Sequence, residues 1–486
     1  MKRDFDVIVI GAGPGGYVAA IRSAQMGLNT AIVEKEYLGG VCLNVGCIPS
    51  KAMINASKFF HKANHDAAVM GFELSGELKL NMEKLNSWKQ TVCDKMSGGV
   101  KQLLKGNSVT IINGDAQFVS PNEIEVSSSE GNKKYSADHY IVATGSRPIE
   151  IPGFSFDEKK ILSSTGALDL NELPKRLIVI GGGVIGLEIG TYLKKLGTEV
   201  VVLEGSNSLF GGHVDKDCTQ VIARKLKKMG VSVHLNARAK SCVDERGGVV
   251  VTADIDGKEK QFEGDKVLLV VGRKPNSDSC GLEKAGVQIG DRGLIPVDPQ
   301  MRTNVSHIYA IGDLVGTTML AHKASHEGVI AAEVIAGHNR VFDAKTIPAV
   351  IFTDPELASA GWTEEECKTH GHKDLKIGKF PYAANGKAVS LMETDGFVKI
   401  IADANTHVIL GVHIVGPEAS NLISEAVLAL EMGAVLEDLA LSIHPHPTLG
   451  ETMMECAEAA IGHAIHIIQK PIANGNGASR SGHLST

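Results

Sequence analysis

Val7-Ile-Val-Ile-Gly11-Ala-Gly13-Pro-Gly-Gly16 is a short apolar run that breaks into a glycine loop, and its reading decides the fold. An Ala-rich helical stretch follows from Tyr17 to Met26, and Thr30-Ala-Ile-Val-Glu34 completes a strand, turn, helix and strand. The glycines at 11, 13 and 16 permit a tight turn, a close approach of backbone to a pyrophosphate and close helix–strand packing, while Glu34 can accept hydrogen bonds from a ribose. The segment therefore reads as a dinucleotide-binding βαβ unit.

The same pattern recurs as Leu177-Ile-Val-Ile-Gly181-Gly-Gly183-Val184-Ile185-Gly186, a helix to Leu196-Gly197, and Glu199-Val-Val-Val-Leu-Glu204. In both copies the acid stands 23 residues after the first glycine. One GxGxxG is a weak signal, but two in full strand–turn–helix–strand context specify two dinucleotide sites. Glu204 is followed by Gly205-Ser206-Asn207 rather than by arginines, and a carboxylate there repels a 2′-phosphate, so the second site is expected to prefer NAD to NADP. Two further β-runs, Tyr140-Ile-Val-Ala-Thr144-Gly145-Ser146 and Ile308-Tyr-Ala-Ile-Gly312-Asp313, are open to two readings: ordinary strand ends, or walls of the first site with Asp313 holding a polyol hydroxyl.

Downstream of the first unit lies Gly39-Gly-Val-Cys42-Leu-Asn-Val-Gly-Cys47-Ile-Pro-Ser-Lys51. Thiols this close can close a small, strained and therefore reducible disulfide, suited to exchanging electrons with a bound flavin. The competing reading is two buried structural thiols. The other six of the eight cysteines, Cys93, Cys218, Cys242, Cys280, Cys367 and Cys456, are scattered, and read as free thiols in a reducing compartment.

Ser442-Ile-His444-Pro445-His446-Pro-Thr-Leu-Gly-Glu451 places two imidazoles between prolines, with a carboxylate five residues after the second. Histidine titrates near neutral pH and can make a thiol into a thiolate, and a carboxylate on one ring nitrogen orients the ring. Metal binding by His-x-His and plain surface histidines in a turn remain alternative readings of this segment.

At 486 residues the chain is expected to hold several domains. Its 43% hydrophobic and 22% charged residues are ordinary for a globular protein, and no apolar run approaches membrane-spanning length. A net charge of −7 with dispersed Lys and Arg argues against a nucleic-acid partner. Only four apolar residues precede the first glycine loop, which is unlike a signal peptide, so a cytoplasmic location is expected. The fold class expected is α/β, with two Rossmann-like domains and a C-terminal α+β interface domain. The expected division is 1–150 (first nucleotide domain, with a helical excursion from about Ser50 to Lys105), 151–275 (second nucleotide domain), 276–346 (a central part completing the first site), 347–470 (the α+β domain), and 471–486 (a disordered tail).

The cysteine segment, the second fingerprint ending in Leu187-Glu188, Val271-Gly-Arg-Lys-Pro-Asn276, Ala310-Ile-Gly-Asp313 and His446-Pro-Thr with Glu451 together resemble the dihydrolipoamide dehydrogenases, over about residues 3–470. Ile48-Pro-Ser-Lys51, Phe352-Thr-Asp-Pro-Glu356, Met319-Leu-Ala-His322-Lys and the doubled histidine carry the narrower likeness within the flavin disulfide reductases. Glutathione reductases would carry arginines for NADP, and mercuric reductases a C-terminal cysteine pair; neither stands here. The resemblance implies a homodimer with FAD in the first domain, NAD in the second, and an active site shared across subunits.

By the same resemblance Cys42 exchanges with the lipoyl sulfur, Cys47 lies against the flavin, His446 moves the proton under orientation by Glu451, and Lys51 pairs with Glu188 beside the isoalloxazine. FAD contacts implied are Gly11, Gly13, Gly16, Glu34, Lys51, Gly114, Thr144, Gly145, Ser146, Asp313, Met319, Leu320, Ala321 and His322. NAD contacts implied are Gly181, Gly183, Val184, Ile185, Gly186, Glu188, Glu204, Ala239 and Gly272, with no resident metal. The implied partners are lipoyl domains of a 2-oxo acid dehydrogenase E2 or the glycine-cleavage H protein. One departure is Pro445, where the family usually has alanine, which stiffens the approach to His446. Outside this resemblance, a reductase of another small disulfide or a quinone, and a flavin-binding redox sensor, are the rival readings.

Overall fold

The computed structural model describes residues 3–469 apart from 74, 77, 246 and 317. The tail expected over 471–486 lies outside the described residues. The chain divides into two compact units, residues 1–213 with 223–344 and residues 214–222 with 345–486.

In the first unit the two glycine-loop segments form as read. The Phe5–Ile10 strand pairs in parallel with Thr30–Glu34 on one side and Gly131–Val142 on the other, inside a seven-stranded sheet. Val7, Ile8 and Val9 are fully buried, so the strand has no solvent face, which is why its sequence is a continuous apolar run rather than an alternating one. The second copy repeats the arrangement in an all-parallel five-stranded sheet, with Arg176–Ile180 between Glu199–Leu203 and Lys266–Leu269.

The repeat extends to the register. Ile10 pairs with Val33 and Ile180 with Leu203, which places each first glycine beside the acid that ends the neighbouring strand. Gly11 N donates to Val33 O (2.8 Å) and Gly181 N to Leu203 O (2.9 Å).

The helical excursion consists of two helices, Cys47–His65 and Met82–Gly106. Asn81 caps the second by accepting from Lys84 N (2.9 Å), an internal boundary that the sequence reading did not mark. Two antiparallel meanders were also not foreseen, Asp115–Ser120 to Gly131–Val142 and Ala237–Glu245 to Lys258–Gly264. The second carried a signal: Asp256-Gly257, both at positive φ (52° and 80°), is the two-residue hairpin turn joining Gly248–Ile255 to Lys258–Gly264.

The second unit is an antiparallel five-stranded sheet, in the order Ala349–Ile351, Glu356–Gly361, Ile409–Gly416, Phe397–Asp403, Leu375–Pro381. The Ala419–Met432 and Glu451–Ile461 helices contribute Ile423, Ala426, Met453 and Cys456 to its core. A Cβ at Gly378 would lie 2.0 Å from Cys456 O, so only glycine lets the Glu451–Ile461 helix sit this close to the sheet. Lys399, 3% exposed, holds the 214–222 segment to this unit through Asp215 (2.9 Å), Asp217 (3.1 Å) and Glu364 (2.6 Å).

Candidate active site

The glycine loops give the first geometry. A Cβ at Gly11 would lie 2.4 Å from Ala143 O and one at Gly16 would lie 1.9 Å from Gly11 O, whereas one at Gly13 would meet nothing within 4 Å. The second loop repeats this: 2.5 Å from Val270 O at Gly181, 2.1 Å from Gly181 O at Gly186, and open space at Gly183. The outer glycines are required by packing, and the middle one faces a space that a pyrophosphate can enter.

Each terminal acid fixes its own loop. Glu34 Oε2 accepts from Ala12 N (2.7 Å) and Oε1 from Lys35 N and Glu36 N (2.9 and 2.8 Å). Glu204 Oε2 accepts from Gly182 N (2.6 Å) and Oε1 from Ser206 N (2.7 Å). Carboxylate oxygens have further lone pairs, so both can still take a ribose hydroxyl. A cavity of about 850 Å³ opens over the second loop, lined by Gly181, Gly183, Val184, Ile185, Glu204, Ala239 and Gly272 among others. Gly186 and Glu188 do not line it. Arg238 and Arg273 do, and the sequence reading missed both as cavity residues.

Around the first loop, the implied contacts converge from four segments. Gly114 N donates to Glu34 O (2.9 Å), and Ala143 N, just before Thr144, to Ile10 O (2.8 Å). Ser146 Oγ donates to Asp313 Oδ2 (2.5 Å) and accepts from Arg273 Nε (2.7 Å). Met319 to His322 stand at the start of the Ala321–Ile335 helix, whose Gly328 packs on Gly15 O, 2.6 Å from an added Cβ. Glu327 of that helix accepts from Gly312 N (2.8 Å) and pairs with buried Lys323 (2.5 Å). Burial holds the Glu327 carboxyl above its usual range despite Lys323, and this pair, which fixes the turn carrying Asp313, was not foreseen.

The cysteine segment is bound to the same loop by backbone. Gly39 N donates to Ala12 O (2.8 Å), and a Cβ on Gly40 would lie 2.7 Å from the Gly13 Cα. Gly39 and Gly40 both have positive φ, 89° and 57°, so this contact needs glycine twice over. Cys42 sits in the short Gly40–Asn44 helix and Cys47 is the first residue of Cys47–His65.

Both cysteines are thiols rather than a disulfide here, and they share a hydrogen bond. The hydrogen bond with Cys42 lowers the Cys47 thiol to about 7 against the opposing effect of burial, with help from Lys51. The same hydrogen bond, with burial, drives Cys42 upward. The N-terminus of a helix also favours a thiolate at Cys47. Cys47 reaches solvent although protein packs around its sulfur, and Cys42 is half-buried, so neither is a fully buried structural thiol. Lys51, one turn on, bonds Glu188 Oε2 at 2.8 Å, and so ties this helix to the helix of the second glycine unit.

In the second unit the two histidines part. His444 is 9% exposed and held between Glu425 Oε1 (2.8 Å) and Ser442 O (2.9 Å), a structural role. His446 is 78% exposed and its Nδ1 bonds Glu451 Oε1 at 2.8 Å, leaving Nε2 outward. Glu451 opens the Glu451–Ile461 helix, and its Oε2 accepts from Thr448 N (2.7 Å). Burial would raise the Glu451 carboxyl, but the Thr448 amide and the His446 ring hold it below the usual range. Pro445 O accepts from Thr448 Oγ1 (2.7 Å), which closes the turn between the two histidines and Glu451.

Comparison with known proteins places this arrangement. Residues 5–328 match the family described as pyridine nucleotide-disulphide oxidoreductase, and residues 347–457 match its dimerisation domain. The chain is 50% identical over 465 residues to dihydrolipoyl dehydrogenase from Bacillus subtilis, covering 96% of this chain and 98% of that one. It is 44% identical over 470 residues to dihydrolipoyl dehydrogenase from Haloferax volcanii, covering 96% and 98%. Among solved structures, LpdA from Mycobacterium tuberculosis superposes with a TM-score of 0.86 at 29% identity, covering 93% of this chain and 99% of that one. The HOCl-induced flavoprotein disulfide reductase RclA from Escherichia coli, as its Cu(II) complex, gives 0.84 at 26%, covering 94% and 99%.

Proposed function

The chain belongs to the pyridine nucleotide-disulphide oxidoreductases, among the dihydrolipoyl dehydrogenases, and from that premise we propose which residues do the work. The reaction is oxidation of a dihydrolipoyl dithiol by NAD, with FAD as the resident cofactor. FAD would lie on Gly11, Gly13 and Gly16, with Glu34 at its ribose and Asp313 with Ser146 at its polyol. NAD would lie in the cavity over Gly183 with Glu204 at its ribose. In this division residues 1–150 and 276–346 serve the flavin, 151–275 the nicotinamide, and 347–470 the subunit contact.

Catalysis starts with Cys42 and Cys47 oxidised. His446, oriented by Glu451, removes a proton from one substrate thiol, and the thiolate attacks Cys42 Sγ. The Cys42–Cys47 bond breaks, and Cys47 leaves as a thiolate that the helix N-terminus and Lys51 stabilise. The second substrate thiol then attacks the sulfur bound to Cys42 and closes the lipoyl disulfide, and its proton passes to Cys42 as that thiol leaves, so that His446 retains the first proton and Cys42 carries the second. Two electrons now reside in the cysteine pair. Bound FAD supplies the conversion of this electron pair into a hydride for NAD⁺, with re-formation of the disulfide. The observation that carries the assignment is the placement of Cys42 and Cys47 on a segment fastened to the first glycine loop by the Gly39 N to Ala12 O bond.

His446 is assigned to act on the partner's cysteines. Leu441 and Ile443, 81% and 98% exposed, flank the histidine segment, and an apolar pair this exposed suits a subunit contact. The substrate would be a protein-borne lipoyl group on a 2-oxo acid dehydrogenase or glycine-cleavage component, in the cytoplasm; no helix among the described residues is long and apolar enough to cross a membrane. His446→Gln is expected to cut dihydrolipoamide oxidation by at least about a hundredfold while FAD absorbance is retained, on the scale of a lost general base. Near wild-type turnover would remove His446 from the mechanism. Assays with lipoamide, glutathione disulfide and a quinone, each with NADH, separate the reading from its rivals: lipoamide should be reduced fastest.

A further inference from the structure

The Glu451–Ile461 helix carries a second imidazole–carboxylate pair that the mechanism does not use. Gly462 ends the helix in the left-handed conformation (φ 81°), and the chain folds back along it. Ala464 N donates to Gln469 Oε1 (2.9 Å), Gln469 Nε2 donates to Ala459 O (2.8 Å), and Ile467 packs against the core. This return brings His466 Nδ1 onto Glu455 Oε1. Glu455 lies four residues after Glu451, on the same face one turn along, where Cβ atoms are roughly 6 Å apart. The helix thus holds His446–Glu451 and His466–Glu455 side by side.

The second pair is asymmetric. His466 is 68% exposed, but the Glu455 side chain is 6% exposed and its Oε2 is buried with no hydrogen-bond partner among the described residues. A buried carboxylate with a single hydrogen bond is unfavourable unless that bond comes from a cation. We infer that His466 is a positioning residue for the base: as an imidazolium on Glu455 it cancels the charge one turn from Glu451, and thereby sets the pH at which His446 takes up its proton. The inference rests on the reading of His446 as the base.

The charges around His466 agree. Its hydrogen bond with Glu455 holds the ring above the usual histidine range, with Glu451 and Glu458 acting in the same sense. His466 in turn helps to hold the Glu451 carboxyl down, after the Thr448 and His446 contacts. Glu458, raised by burial and by Glu455, is relieved by His463 and His466. The opposite face of the helix meets the sheet through Cys456 and Ala460 at Gly378, and charged residues of the neighbouring elements have partners elsewhere: Lys379 with Asp217, Lys399 with Asp215, Asp403 with His372, Glu437 with His407 and Asp438 with Val435 N.

The test is the pH profile of kcat/KM for dihydrolipoamide oxidation by the FAD-loaded dimer, whose acid limb reports protonation of the free enzyme's base. His466→Gln leaves Glu455 uncompensated, favours the protonated base, and is expected to move the acid limb up by roughly half a pH unit, the effect of one partly screened charge at this range. His466→Arg, which restores the cation, and the double variant E455Q/H466Q, which removes both charges, should each return the limb to the wild-type position. A purely structural role for His466 predicts a loss of rate in His466→Gln with an unmoved limb, and a double variant at least as impaired. An unmoved limb in His466→Gln, or a double variant displaced as far as the single one, overturns the inference. His446→Gln run in parallel keeps the two readings apart: retained turnover there refutes the base assignment, whereas lost turnover with an unmoved His466→Gln limb refutes the positioning role alone.

Discussion

A thiol at the first turn of a helix, hydrogen-bonded to a second thiol and one turn from a lysine, has three causes pushing it toward thiolate. Cys47 is lowered to about 7 by Cys42 and Lys51 while burial opposes, so the reduced pair changes protonation inside the working pH range. Because the folded thiol is lowered, the thiolate dominates above about 7 and the neutral thiol below it. Lys51→Met removes one of these causes. In the two-electron-reduced holoenzyme, the long-wavelength absorbance of thiolate beside flavin should then appear at a pH higher by roughly one unit, a charge at short range being worth about that much. An unchanged midpoint on titration would assign Lys51 to its Glu188 contact alone. The two histidines make the complementary point at this scale: the resemblance singles out His446 with Glu451, and burial of His444 against Glu425 beside the 78% exposed His446 gives that choice a physical reason.

The glycine loops decide matters at the scale of the element. In each, the outer positions are excluded to any side chain by backbone oxygen, and the middle position faces open space. Two substitutions in the second loop should therefore fail differently. Gly186→Ala places a Cβ 2.1 Å from Gly181 O and is expected to destabilise by about 1–3 kcal/mol, with a lower Tm and lost NADH binding. Gly183→Ala meets nothing within 4 Å, so Tm should hold while KM for NAD rises several-fold as the methyl enters the pyrophosphate space. Equal thermal shifts for the two would contradict this division. In the second unit, Lys399 is 3% exposed among Asp215, Asp217 and Glu364. Lys399→Met leaves buried Asp215 without its cation, and should cost about 3–5 kcal/mol, read as a lower guanidinium midpoint.

At the scale of the whole molecule the proposal requires two chains for one site, and inactive variants can be made to report it. A dimer of one Cys47→Ser chain and one His446→Gln chain has two dead sites if each chain supplies its own base. If the base comes from the partner, one site is fully wild type and the other carries both lesions. Differently tagged copies, coexpressed and purified through both tags, should therefore show about half the wild-type lipoamide turnover, although each homodimer is nearly inactive. Absence of activity in the doubly tagged species would refute the shared site. Leu441→Asp with Ile443→Asp should separate the subunits on gel filtration and remove lipoamide turnover, with FAD retained.

The two glycine fingerprints, their terminal acids, the cysteine pair and the His-x-His segment were legible in the chain because each is local. Strand period, turn chemistry and spacing are written within some thirty residues, and a buried parallel strand shows itself as an unbroken apolar run. The Asp256-Gly257 turn was equally local and was passed over, and so was the Asn81 cap that divides the helical excursion. The Lys51–Glu188 pair was expected from the family resemblance and forms at 2.8 Å, but other features depended on residues far apart meeting with no such signal: Arg273 with Ser146 and Asp313, Lys399 with the 214–222 segment. Nothing in the sequence ranks these lysines and arginines above their neighbours, because a side chain's charge partners and burial are set by packing between segments. The sequence alone determined that there are two dinucleotide folds and a dithiol. Only the tertiary structure decided which thiol is acidic, that His444 is buried while His446 is exposed, and that a second imidazole–carboxylate pair stands one turn along, because burial and charge partners are set by packing between segments.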